Sequence, residues 1–216
     1  MNPSSDRQYI IPDQQVAWDS EYTLKKGIWG LSPLEETAYT GRGVFLDLGC
    51  GNGKNLKRTV QGTNPIIGLD FSRQALLLCR RDPDLTGTDF VRADTRFLPF
   101  KEGTIHTIDV HHLLGHLAYD DRIRTAQEIK QVLTPDGEVV ITVFGTSDVR
   151  CGKGIEVEPG TFVKGTGIMT HFFHQGEISD LFSPFQSISK QTQEWLMRVR
   201  ANIYMRQLLV SRFKKL

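Results

Sequence analysis

Short apolar runs alternate with stretches of helical spacing through the first two thirds of this 216-residue chain. Val44-Phe45-Leu46-Asp47-Leu48 ends in glycines and reads as a buried strand, and similar runs lie at 65–69, 89–92, 105–110 and 138–143. Between them the spacing turns helical. Ser72 is placed to cap a helix bearing Ala75, Leu76, Leu77 and Leu78. Asp120 is placed to cap another whose apolar face is Ile123, Ala126, Ile129, Val132 and Leu133. Pro135-Asp136-Gly137 then turns the chain into the next run. Strand and helix in this rhythm specify a mostly parallel sheet with helices on both faces. After Gly145 the rhythm breaks: residues 146–170, rich in Gly, Thr and Lys, read as a loop or irregular hairpin. Ile178, Leu181 and Phe182 suggest a short helix, and 186–194 and 203–213 two late strands.

Composition narrows the classes. A hydrophobic fraction of 39% and 24% charged residues suit an ordinary globular protein. Lys and Arg number 26 against 25 Asp and Glu, for a net charge of +1. That balance supplies no global field for nucleic acid or anionic membrane. Cys50, Cys79 and Cys151 are odd in number and widely spaced, which argues against a disulfide framework or zinc ribbon and suits a reducing compartment. The first 20 residues are polar, with no apolar run of the signal-peptide kind, and no stretch has the length of a membrane span. The expected location is cytoplasmic.

The densest signal is Leu46-Asp47-Leu48-Gly49-Cys50-Gly51-Asn52-Gly53-Lys54-Asn55-Leu56. A strand enters a glycine turn and leaves as a helix, the place where open parallel sheets bind ligands. Dinucleotide sites use G-x-G-x-x-G; here the spacing is G-x-G-x-G, and Lys54 stands at the fingerprint's third glycine. Asp47 adds a carboxylate at the strand end, which suits a ligand with an ammonium group and no phosphate.

The segment resembles the first motif of the class I methyltransferases that use S-adenosylmethionine (SAM), and later segments match in order over about residues 43–145. Gly68-Leu69-Asp70-Phe71-Ser72 resembles the second strand, whose terminal acid holds the ribose hydroxyls. Asp89-Phe90-Val91-Arg92-Ala93-Asp94-Thr95 resembles the third, where Asp94 would accept from the adenine amino group and the next N–H meet the ring. Leu133-Thr134-Pro135-Asp136-Gly137 resembles the turn before strand five. The resemblance implies a three-layer αβα sandwich around a mostly parallel seven-stranded Rossmann-like sheet with a late antiparallel strand. It implies one domain over 1–216: a lid at 1–40, a SAM-binding core at 43–145, and an acceptor-side insert with terminal strands at 146–216. The cofactor-binding set is Asp47, Gly49, Cys50, Gly51, Asn52, Gly53, Asp70, Phe71, Asp94, Thr95 and His111.

One stretch departs from the family. Where F-D-x-V is usual, the chain reads Ile105-His106-Thr107-Ile108-Asp109-Val110-His111-His112-Leu113-Leu114-Gly115-His116. His106 stands at the Asp position, and His111 at the strand end that faces methionine and acceptor, which makes it the catalytic candidate. His112 and His116 read as packing or capping residues. No Cys or carboxylate sits beside the histidines at ligand spacing, so no metal is expected. His171, in Thr170-His171-Phe172-Phe173-His174, is either a general base or a buried histidine. Trp18-Asp19-Ser20-Glu21-Tyr22 and Trp29-Gly30-Leu31-Ser32-Pro33 resemble the leading segment of the tellurite-resistance and thiopurine group. These aromatics either cover the cofactor or pack on the sheet edge. The late basic residues Arg198, Arg200, Arg206, Arg212, Lys214 and Lys215 read as the charged side of an edge strand, with a phosphate-backbone contact as the alternative. The expected reaction is methyl transfer from SAM to a small molecule. A tRNA methyltransferase of the wobble-uridine kind, or a non-catalytic SAM binder, are the alternatives.

Overall fold

The apolar runs become strands. In the computed structural model, which describes residues 10–25, 42–59 and 64–216, they are β1 (Phe45–Leu48), β2 (Ile66–Asp70), β3 (Asp89–Arg92), β4 (Ile105–His111) and β5 (Leu133–Phe144). Three short strands follow, β6 (Ile155–Glu158), β7 (Thr161–Val163) and β8 (Met169–His171), then the long pair β9 (Gln186–Val199) and β10 (Asn202–Lys214). The helices are α1 (Gln14–Leu24), α2 (Leu56–Thr59), α3 (Arg73–Arg80), α4 (Tyr119–Val132) and α5 (Glu177–Leu181).

Among the described residues, seven strands form one sheet in the order β3-β2-β1-β4-β5-β10-β9. All pair in parallel except β10, which runs antiparallel to both neighbours. Strand order reverses between β1 and β4, and such a switch point opens a crevice at the carboxyl edge. Alternation along the strands supplies two buried faces. Leu46, Leu48, Ile108 and Val110 pack with Ile129 and Val132 of α4 and Ile178 of α5. Phe45, Ile66 and Val140 pack with Leu56 of α2 and Leu76 and Cys79 of α3. The expected three-layer architecture is present. No helix among the described residues is long and apolar enough to cross a membrane.

Some local expectations are met and others corrected. Ser72 does cap α3, its Oγ accepting from the Ala75 N–H at 3.1 Å. The cap of α4, however, is Ala118, not Asp120. The freed Tyr119 N–H is instead satisfied by the Glu158 carboxylate at 3.2 Å, and Asp120 and Asp121 fall in the first turn, where the helix dipole favours acids. Of the loop or irregular hairpin expected at 146–170, the hairpin is present with one strand more: β6 and β7 pair with a register slip, and β8 completes a separate antiparallel sheet. Strands of three or four residues are too short to show a period. Of the basic run expected on an edge strand, Arg198 lies on β9, which is at the sheet edge, whereas β10 is covered by β9, and its Arg212 and Lys214 pair with Glu138 and Asp136. The expected turn at 135–137 lies within β5, where Asp136 takes a left-handed φ of 63° and the pairing with β4 slips.

Helix α1 is tied to the sheet through α3. Asp19 Oδ1 accepts from the Ser72 hydroxyl and from the Gln74 N–H at 3.2 Å. This seats Trp18 and Tyr22, both buried, beside Ala75 and over the carboxyl edge of β1 and β2. The segment 29–33 lies outside the described residues.

Candidate active site

A cavity of about 630 Å³ opens at the switch point between β1 and β4. Of the expected residues, Gly49, Cys50, Gly51, Asn52, Asp70, Phe71, Asp94, Thr95 and His111 all line it. Asp47 and Gly53 do not. Gly53 faces inward, where a Cβ would run into Leu85 and the Cys79 sulfur, so its role is close packing behind the turn. Lys54, beyond it, lies on the cavity wall.

The turn end is built from backbone and carboxylates. Gly51 has φ of 55°, and a Cβ there would strike the Tyr22 hydroxyl, so the site requires glycine. Asp70 Oδ2 accepts from the Gly51 N–H at 2.8 Å and Oδ1 from the Ser72 N–H at 2.8 Å. Each oxygen keeps a lone pair for a further donor. Burial raises the Asp70 carboxyl to about 6, against the lowering by those two N–H groups. Asp94 is already engaged: Arg96 Nε lies 3.0 Å from both its oxygens, and Arg96 Nη1 reaches Asp121 at 3.2 Å. Although burial opposes it, Arg96 holds the Asp94 carboxyl below the usual range.

The three histidines after β4 diverge. His111 Nε2 sits 3.1 Å from Asp109 Oδ2. Burial lowers its basicity, but the Asp109 charge and hydrogen bond outweigh this and raise it above the ordinary histidine value. His112 adopts a left-handed φ of 59°, a conformation costing about 1–3 kcal/mol for such a residue. It stacks on Phe144 with ring centroids 4.0 Å apart. His116 packs edge-on against Trp18, and its Nδ1 lies 2.5 Å from the Met169 carbonyl, so that Nδ1 donates. Burial lowers His116 to about 4. Both were expected as packing residues, and both also line the cavity. His106 is exposed and stacked over Gly43, away from the cavity. His171 is a buried staple, bonded to Thr161 and Glu177 at 2.8 Å each, and does not reach the cavity.

Sequence reasoning missed two groups. Asp109 was passed over inside an apolar run. In the parallel register of β1 and β4 it lies opposite Asp47. Neither oxygen of Asp47, nor Asp109 Oδ1, has a hydrogen-bond partner among the described residues, and all three are buried. Burial and the facing Asp109 push the Asp47 carboxyl up to about 8. The second group is the far wall: Phe144 and Leu208, with Trp195, Met197 and Arg206 from the β9–β10 hairpin. Arg206 is held by Asp148 at 2.8 Å and lies 5.4 Å from the Trp195 ring centre.

Comparison with known proteins agrees with this geometry. Residues 45–137 match the Methyltransferase domain family. A phthiotriol/phenolphthiotriol dimycocerosates methyltransferase of Mycobacterium ulcerans is 30% identical over 102 residues, 45% of this chain and 36% of its own. A mouse tRNA N(3)-cytidine methyltransferase is 26% identical over 208 residues, 90% of this chain and 51% of its own. The chain thus spans about a third to a half of the length of these relatives. A SAM-dependent methyltransferase of Anabaena variabilis superposes with a TM-score of 0.69 at 16% identity, over 97% of this chain and 98% of its own. Residues 45–137 thus match a methyltransferase domain, and the strand order and glycine turn around them are those of a Rossmann-like methyltransferase fold.

Proposed function

We propose that this protein transfers a methyl group from SAM to a small molecule, within one domain whose lid, core and acceptor side are residues 1–40, 43–145 and 146–216. The observation that carries the reading is that the cavity at the switch point has two unlike ends. The residues present fit SAM. Asp70 would accept from the ribose hydroxyls with the lone pairs its N–H partners leave, a charge-assisted contact. The Gly49–Gly51 backbone, Cys50 and Asn52 would lie along the methionine part, with Phe71, Thr95 and the Asp94–Arg96 pair at the adenine end. Gly53 and Asp47 would act from behind the wall. When bound, SAM supplies an electrophilic methyl on a sulfonium. Trp18 and Tyr22 of α1 line the cavity with aromatic rings of the kind that attract a cation, and the helix that carries them would keep water from the reacting centre. The far wall would hold the acceptor against the methyl, and positioning of this kind lowers a bimolecular barrier without covalent catalysis.

The near-neutral charge and aromatic far wall favour a small acceptor. A tRNA acceptor is the second reading, favoured by the mouse tRNA methyltransferase likeness over 90% of the chain. The test is incubation with methyl-labelled SAM and, separately, a small-molecule extract and bulk tRNA. Label in the small-molecule fraction supports the first reading; label in tRNA replaces it with the second.

A further inference from the structure

Resting on that reading, the inference concerns how the site handles a proton. His111 lies on the cavity wall, the last residue of β4, with 13% of its side chain exposed. One ring nitrogen, Nε2, is 3.1 Å from Asp109 Oδ2. The other, Nδ1, makes no hydrogen bond among the described residues and is not one of the sealed polar atoms. An imidazole beside a carboxylate places its N–H toward that carboxylate, and the tautomer of the other nitrogen follows. Asp109 is itself placed by the fold. It is 4% exposed in a strand pairing on both sides, and among the described residues its second oxygen has no donor to compete for it.

We propose that Asp109 is a positioning residue that locks His111 in its Nε2–H form, so that Nδ1 serves as a base on the cavity wall for acceptors that arrive carrying an O–H or N–H proton. The acceptor's X–H bond yields its proton to Nδ1 while X forms its bond to the methyl carbon. The carbon–sulfur bond breaks with its electron pair on sulfur, and the cationic donor leaves as a neutral thioether. The imidazolium so formed faces Asp109, and its proton passes to solvent when products leave. A thioether or tertiary amine needs no such base, and for these acceptors the dyad would have no work.

The groups around His111 fit this assignment. Asp109 faces it from β4, Asp47 from β1, and Lys54 from the glycine turn, with His112 next in the chain. Of the two facing carboxyls, Asp47 holds a proton to about pH 8.

The test needs no acceptor. In protein labelled with nitrogen-15 at histidine, the two ring nitrogens of His111, assigned by loss of its signals in His111→Gln, report its tautomer and titration. The expected result is an Nε2–H neutral form titrating above pH 6.5, and a fall of about 1–3 units in Asp109→Asn, the range for a lost adjacent charge. Asp47→Asn, which leaves the 3.1 Å contact in place, should keep the Nε2–H form. An Nδ1–H form in the wild type, or a titration unmoved by Asp109→Asn, overturns the proposal; the wild-type tautomer decides even if the variant does not fold. S-adenosylhomocysteine binding, measured alongside, separates failure of the dyad from failure of the methyltransferase reading. An acceptor that proves to have no removable proton would equally overturn the assignment.

Discussion

The two ends of the cavity are built from different materials. At the glycine turn the wall is main chain and short acids: Gly51, Asp70 and Asp94, each held by N–H groups or Arg96 within about one turn of a strand end. At the far end it is side chain: Phe144, Trp195, Met197 and Leu208, with Arg206 held by Asp148. Backbone geometry tolerates almost no substitution, whereas a side-chain wall changes with each residue. On the proposed function, the contrast would let a fixed cofactor and a variable acceptor share one fold. It also predicts that damage at the two ends should separate, cofactor affinity failing at one and acceptor affinity at the other.

The largest expected effect is at Gly51. Gly51→Val would place a β-branched residue at a φ of 55° and push against Tyr22, costing at least about 1–2 kcal/mol in stability. It should leave no measurable S-adenosylhomocysteine binding by calorimetry. Asp70→Ala comes next, with affinity weaker by roughly 1.5–3 kcal/mol while the circular dichroism spectrum stays that of a folded protein. Unchanged affinity would move the ribose elsewhere. At the other end, Trp195→Ala should raise the acceptor KM by about tenfold, or about 1.4 kcal/mol, and leave S-adenosylhomocysteine affinity alone. A change in cofactor affinity there would erase the distinction between the ends.

A separate effect is one of pH and stability. The Asp47 carboxyl titrates near 8 in the folded protein and near 3.9 when unfolded. Between these values the native state holds more protons than the unfolded one, so stability must fall as pH rises from about 4 to about 8. Asp70, raised to about 6, adds to the fall over the lower half of that window. Asp47→Asn should therefore melt higher than wild type at pH 8, with a difference that shrinks toward pH 4. A constant difference would mean that Asp47 is ionised throughout.

The legible parts of this molecule are those set by near neighbours in the chain. Gly49, Gly51 and Asp70 could be read because a buried run ending in glycine or an acid marks a carboxyl edge whatever lies across from it. The cap at Ser72 was equally local. Asp109 was hidden because its partner, Asp47, lies 62 positions away and meets it only through the parallel register of β1 and β4. Trp195 and Arg206 were hidden for a related reason. They reach the cavity only because β10 inserts between β5 and β9 and carries the hairpin back over the carboxyl edge. Asp94 is legible as an acid just past a strand end but its partner is not, since Arg96, two residues on, looks like any surface cation until its guanidinium is seen clamped between two acids.

The central claim is that this cavity holds SAM and not a dinucleotide, and thermal unfolding with added ligand tests it most directly. A ligand that binds only the native state raises the melting temperature by mass action, about 2.7 kcal/mol at a hundredfold excess over Kd. The account predicts a clear upward shift with SAM and S-adenosylhomocysteine and none with NAD or ATP, and loss of the shift in Gly51→Val. A shift with NAD and none with S-adenosylhomocysteine would contradict it.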